Sequence, residues 1–204
     1  MSLLGKTEAC LRARHEGRIE IRRERRCDVA AREQLLDAAF GADRFAKSSE
    51  RLREGRVLAK GLALAAFEGG RLVGTVRLWL VSAGAARACL LLGPLAVAAD
   101  MRDRGIGADL MGRALRDARA FGYRAVLLVG DAAYYNRFGF SSEKTGALWM
   151  PGSFERDRLL ACELALGALK NARGMIAAHR PPRSRLSEIL HSVARRGPAI
   201  GQPA

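Results

Sequence analysis

The sequence predicts an α/β (α+β) fold, a mixed, mostly antiparallel sheet with one splayed pair of central strands and helices on both faces. Three observations predict it. Two β-rich runs, Leu62 to Phe67 and Leu72 to Val81, are joined through Glu68-Gly69-Gly70-Arg71, and a Gly-Gly pair supplies the positive φ angles of a tight hairpin. At Gly105 the apolar pattern changes from alternation to helical spacing. Ala125 to Val129 is then a continuous apolar run, which suits a strand covered on both faces and reached by a crossover connection.

The elements follow in order. Ile19 and Ile21 alternate with charged residues as a half-buried strand does, and Asp28 opens a helical pattern through Val29, Leu35, Leu36, Ala39 and Phe40 that Gly41 stops. A short helix from about Phe45 to Arg53 has a thin apolar face. After the hairpin, the turn Ser82 to Ala86 leads into a third strand, Ala88 to Val97, completing an antiparallel meander. Gly93-Pro94 interrupts that strand. Proline cannot donate to a ladder and glycine packs nothing, so the pair predicts a bulge or a bend at which the strand pulls away from a neighbour. Ile106, Leu110, Met111, Ala114, Leu115 and Ala118 line one face of the next helix, which Gly122 ends. A short helix from Asp131 to Arg137, a Phe138-Gly139-Phe140 turn and a last strand from Arg158 to Leu166 complete the domain.

Three regions are expected: a basic leader over 1–17, the domain over 18–168, and a basic extension over 169–204. The extension carries Leu186, Ile189, Leu190 and Val193 at helical spacing, an apolar stripe suited to packing on its own domain or on a second copy in a homodimer.

The chain has 204 residues, 49% of them hydrophobic, enough to bury one core. Its four cysteines form no C-x-x-C pair, and they read as reduced thiols of a cytoplasmic protein rather than as a disulfide framework or a zinc site. The longest apolar stretch, Ala88 to Ala99, falls well short of the roughly 20 residues that span a bilayer. Neither a membrane helix nor a secretory signal is expected. The net charge of +14 is mostly arginine, spread along the chain, as a GC-rich genome also produces. No zinc finger, RNP-like aromatic run or helix-turn-helix accompanies it, so nucleic acid is not expected as a partner. His15, His179 and His191 stand in the terminal segments, and no metal site is predicted.

Chemistry concentrates where the third strand gives way to a helix through Arg102-Asp103-Arg104-Gly105-Ile106-Gly107-Ala108. The first turn of a helix has unpaired N–H groups and the positive end of the dipole, and glycines let a diphosphate approach the backbone. The R-x-x-G-x-G spacing alone is weak evidence in a chain so rich in both residues. The strand–bend–turn–helix context carries the reading of a phosphate cradle. Neither G-x-G-x-x-G nor G-x-x-x-x-G-K-[ST] is present, which argues against dinucleotide and nucleoside-triphosphate enzymes.

Leu95-Ala96-Val97, the R-x-x-G-x-G/A segment and Tyr134-Tyr135-Asn136-Arg137-Phe138-Gly139-Phe140 together resemble the signature of the GNAT N-acetyltransferase superfamily, over roughly residues 18 to 168. Val129-Gly130-Asp131 followed by Tyr-Tyr-x-Arg-Phe-Gly-Phe is similar to a bacterial branch of predicted acetyltransferases whose substrates are mostly unassigned. The resemblance implies acetyl-CoA as cosubstrate and direct transfer of its acetyl group to the primary amine of a small molecule or protein. It implies that Leu95 and Val97, flanking Ala96, offer backbone groups to the pantetheine arm, and that the amides from Arg102 through Asp103, Arg104, Gly105, Ile106 and Gly107 to Ala108 hold the pyrophosphate. It also implies that Tyr135, four residues before Gly139, is the acid that protonates the departing thiolate. The other reading of Tyr134 and Tyr135 is that they are core aromatics.

Many relatives place a glutamate on the strand before the cradle, but Arg87 to Val97 holds no carboxylate, and no base is assigned. Glu68 and Asp131 are the nearby acidic candidates for that role, Asp131 is equally suited to cap a helix, and a water chain to solvent would serve as well. Phe45, Trp79, Trp149 and Phe154 are expected either to line an acceptor pocket or simply to pack. The alternative function is a catalytically weak binding or regulatory protein of the same fold that contacts nucleic acid through its basic surface, motivated by the charge and the missing carboxylate.

Overall fold

The computed structural model describes residues 17–41, 44–45 and 57–178. They form eight strands and three helices: β1 (Ile19–Arg23), α1 (Val29–Phe40), β2 (Leu58–Glu68), β3 (Arg71–Ala83), β4 (Ala86–Val97), α2 (Ile106–Ala120), β5 (Ala125–Val129), α3 (Ala132–Tyr135), β6 (Leu148–Trp149), β7 (Leu159–Glu163) and β8 (Gly174–Ala178). The sheet runs β1-β2-β3-β4-β5-β7. Neighbours are antiparallel except β4 and β5, which are parallel and joined by α2. This is the mixed, mostly antiparallel architecture expected from the sequence.

Local chemistry explains the boundaries. Gly69 at φ 54° and Gly70 at φ 84° turn the β2–β3 hairpin in the left-handed region where a side chain would be strained. The final strand is shorter than expected and stops at Glu163, because the amides of Leu164 and Ala165 both donate to the Arg124 carbonyl (2.8 and 3.1 Å) and wrap the chain around the start of β5. The short helix also splits into α3 and a 3₁₀ turn over Asn136–Phe138.

The sheet is covered on both faces. On one, Ile106, Leu110, Met111, Ala114 and Ala118 of α2 pack on Leu64, Val73, Val76, Leu90, Val126 and Leu128. Glycines at 107 and 112 cost this helix roughly 1 kcal/mol each, and burying Ile106, Leu110 and Met111 at about 2 kcal/mol each outweighs that. On the opposite face, Leu35 and Leu36 of α1 meet Ala65, Leu72 and Ala96. Further along that face, Leu148, Met150, Leu169, Ala172 and Ile176 cover Leu91 and Leu127. The packed fold therefore extends past residue 168, where β8 joins the far end of β3 beside Val81 to Ala83.

A chain of charges anchors α1 to the sheet. Arg32 pairs with Glu24 and Glu33, Arg44 pairs with Glu33 and Asp37, and Glu24 also faces Arg77 of β3 at 3.4 Å. Arg22 grips Asp28 with two hydrogen bonds of 2.7 and 2.9 Å.

Candidate active site

The site begins where two parallel strands part. β4 pairs with β5 only from Cys89 to Leu91, opposite Ala125 to Leu127. Between the β3–β4 pairs Leu78↔Leu92 and Val76↔Leu95, β4 spends one residue more than β3, a bulge centred on Gly93-Pro94. Trp79 of β3 donates its indole N–H to the Gly93 carbonyl at 2.7 Å and so satisfies the acceptor that the bulge removes from the ladder.

Beyond the bulge the direction of each backbone group follows from alternation. Ala98 N–H donates to Val73 O at 2.8 Å, so Ala98 and Ala96 turn their polar groups towards β3. Leu95 and Val97 then turn theirs towards the β5 side, where the pairing has already ended at Leu91. Among the described residues the structure thus leaves unpaired the edge that the family resemblance gives to a pantetheine arm.

At the end of β4 the chain passes through a 3₁₀ turn over Ala99–Met101 into the cradle. Gly105 at φ 75° is the N-cap of α2, and the amide of Asp109 donates to its carbonyl at 3.0 Å as the first helical bond. The N–H groups of Ile106, Gly107 and Ala108 precede that bond and are the unpaired donors of a helix start. A Cβ on Gly105 would meet nothing within 4 Å, which leaves the cradle mouth open. The donor set suits a diphosphate.

The two cradle arginines differ. Arg104 pairs with Glu68 at 2.7 Å and reaches the Gly17 carbonyl at 3.4 Å, tying the loop to the β1–β2 edge, so its side-chain charge is already matched. Arg102 is exposed and makes no ion pair among the described residues. The two acidic residues noted in the sequence are likewise committed, Glu68 to Arg104 and Asp131 as the cap of α3, accepting from Ala133 N at 3.0 Å.

After β5, Asp131 starts α3 and brings two tyrosines to the parted strands. The Tyr135 ring lies against Gly130, where an added Cβ would come within 2.3 Å of it, and it meets Phe140 edge-on at 6.0 Å. Burial pushes its phenol up to about 12, with the neighbouring Tyr134 acting in the same direction. Among the described residues its hydroxyl makes no hydrogen bond. Tyr134, to which the sequence reading gave no separate role, stands with its hydroxyl over Gly107, and the Tyr-Tyr doublet was the only signal for it.

The aromatic residues considered for an acceptor pocket separate by environment. Trp79 is committed to the bulge, and Phe154 packs against the cluster around Met150. Trp149 is exposed with the Arg156 guanidinium 4.6 Å above its ring, and Phe45 is exposed beside Arg44. The expected helix over 45–53, the leader, all three histidines and the amphipathic stripe at 186–193 lie outside the described residues, apart from Phe45 itself and Gly17. Among the described residues no cluster of three or more His, Cys, Asp or Glu is placed to hold a metal, and no helix is long and apolar enough to cross a membrane.

An open mixed sheet, parted beside a glycine-bared helix start and a half-buried tyrosine, is an arrangement suited to a long anionic cosubstrate. Residues 29–140 match the model of the acetyltransferase (GNAT) family, and the chain belongs to that family. It is 31% identical over 160 residues to the uncharacterized N-acetyltransferase YhbS of Escherichia coli K12, covering 78% of this chain and 95% of the relative. The crystal structure of E. coli YhbS in complex with CoA superposes with a TM-score of 0.68 at 30% identity, over 79% of this chain and 90% of that one. A GNAT family acetyltransferase from Brucella melitensis in complex with acetyl-CoA gives a TM-score of 0.56 at 28% identity, over 79% of this chain and 96% of that one.

Proposed function

We propose that this acetyltransferase carries the acetyl group of acetyl-CoA directly to the primary amine of a small molecule or a protein. The observation that carries the reading is the unpaired edge of β4 at Leu95 and Val97 running into the bared amides of the α2 start. The E. coli and Brucella proteins bound to CoA and acetyl-CoA support it.

In this reading Leu95 and Val97 hold the pantetheine arm by backbone hydrogen bonds, with Ala96 buried between them against α1. The amides from Arg102 to Ala108 hold the diphosphate, and the side chain of Arg102 adds charge from solvent. The amine nitrogen attacks the thioester carbonyl, a C–N bond forms as the C–S bond breaks, and the electron pair leaves on sulfur. Tyr135 gives that sulfur its phenolic proton and recovers one from solvent. Burial keeps Tyr135 protonated at neutral pH, but a phenol pushed up to about 12 is a weaker donor than a free one, so the transfer relies on its position beside the sulfur as charge develops there. The amine proton leaves to water, since Glu68 and Asp131 are otherwise engaged.

Gly107→Glu tests the cradle by bringing a carboxylate to the α2 start, where it meets the Tyr134 hydroxyl and repels a diphosphate. Titration calorimetry is expected to show acetyl-CoA binding by the native chain and none by the variant. Tight binding by both would remove residues 102–108 from the cofactor site.

A further inference from the structure

The hydroxyl oxygen of Tyr134 lies 2.9 Å from the position that a Cβ on Gly107 would take, and Val97 Cγ2 lies 3.7 Å from the same point. Gly107 is therefore bare for a reason within the protein as well as for a ligand, since the hydroxyl stands over it at the junction of β4 and α2. The ring is held from three sides. Tyr135 meets it edge-on at 4.9 Å and 80°, Phe138 packs at 5.8 Å, and the Arg137 guanidinium stacks 4.1 Å from its centroid.

Among the described residues the Tyr134 hydroxyl makes no hydrogen bond and Arg137 makes no ion pair. Half-buried phenols ordinarily find a partner, and the Arg137 guanidinium over this ring adds positive charge close to the hydroxyl. A phenolic donor backed by an uncommitted cation, facing unpaired helix N–H groups, is the donor set of an anion held from two sides.

We infer that Tyr134 is a second wall of the cradle, donating its hydroxyl to a diphosphate oxygen of the cofactor opposite the α2 amides, with Arg137 supplying positive charge behind the ring. This rests on reading residues 102–108 as the diphosphate cradle. It gives the two adjacent tyrosines different tasks, Tyr134 binding and Tyr135 proton transfer, coupled through their edge-to-face contact.

Tyr134→Phe keeps the ring and its stacking partners and removes only the donor. Calorimetry with the full chain is expected to show CoA binding weakened about tenfold or more, the scale of a hydrogen bond to a charged group, with the ligand-free melting temperature kept. The loss should persist with dephospho-CoA, which lacks the 3′-phosphate, and with adenosine 3′-phosphate 5′-diphosphate, which lacks the pantetheine arm. Unchanged CoA affinity overturns the inference, as does a loss that vanishes with either truncated ligand. A native chain that binds none of the three overturns the cradle reading itself, whereas a native chain that binds CoA and a variant that matches it overturn Tyr134 alone.

Discussion

The indole N–H of Trp79 donates to the Gly93 carbonyl at 2.7 Å, so a side chain of β3 holds the bulge at which β4 takes leave of β5. The Arg77 guanidinium lies 5.0 Å from the Trp79 ring and also faces Glu24, which Arg32 of α1 grips. The position of the first helix and the shape of the parted strands are thus joined through one aromatic ring.

Trp79→Phe leaves the Gly93 carbonyl without its donor. Urea unfolding should show a loss of about 1–3 kcal/mol, and acetyl-CoA binding should weaken several-fold as the bulge relaxes. Native stability and affinity in the variant would mean that the bulge holds itself.

Tyr135→Phe should lower turnover about 100-fold while leaving acetyl-CoA affinity intact, the scale of losing a general acid. The raised phenol makes a further prediction for kcat/KM. Tyr135 stays protonated through pH 10, so any alkaline decline that it causes falls near 12. A decline centred near 10 that disappears in the Phe variant would contradict the burial described for this ring.

Gly130→Ala places a methyl carbon 2.3 Å from one ring carbon of Tyr135 and 2.8 Å from another, so the ring must shift. Chemical denaturation should register about 1–3 kcal/mol of destabilisation, and turnover should fall with the misplaced hydroxyl. Combined with Tyr135→Phe, the stability loss should remain and turnover should fall no further, because the displaced group is already gone.

Asp28 is held at about 2 chiefly by its hydrogen bonds from Arg22, aided by the Arg25 amide. A carboxylate whose folded value is depressed adds stability that is complete above its unfolded value and disappears as pH falls through the folded one. Melting temperature should therefore drop between about pH 4 and pH 2, and Asp28→Asn should flatten that segment while lowering stability at neutral pH by about 2 kcal/mol. An identical acid profile in the variant would place the titration elsewhere.

Where a local signal specifies the backbone, the sequence was readable. The Gly69-Gly70 turn, the α2 stripe from Ile106 to Ala118, the β5 run and the bulge at Gly93-Pro94 each follow from short-range chemistry, and each stands where expected. What escaped depends on distant partners. β8 has no alternation of its own and exists because β3 offers Val81 to Ala83 beyond the end of β2. The two-residue β6 exists only against β8. Within the candidate site, the motifs drew attention to residues 102–108 and to Tyr135, but nothing in the chain order couples Trp79 to Gly93, Tyr134 to Gly107 or Arg104 to Glu68.

An exposed row of unsatisfied strand groups usually invites another chain to add on, and proteins guard such rows against clumping. Here the bare stretch of β4 lies between β3 and β5 in the order of the sheet and not on its outermost strand, so a neighbouring molecule's flat sheet has no straight margin to join there. A slender, flexible guest can enter where a broad one is turned away. The same divergence that leaves β4 groups unpaired thereby keeps them off the margin where a second sheet would add.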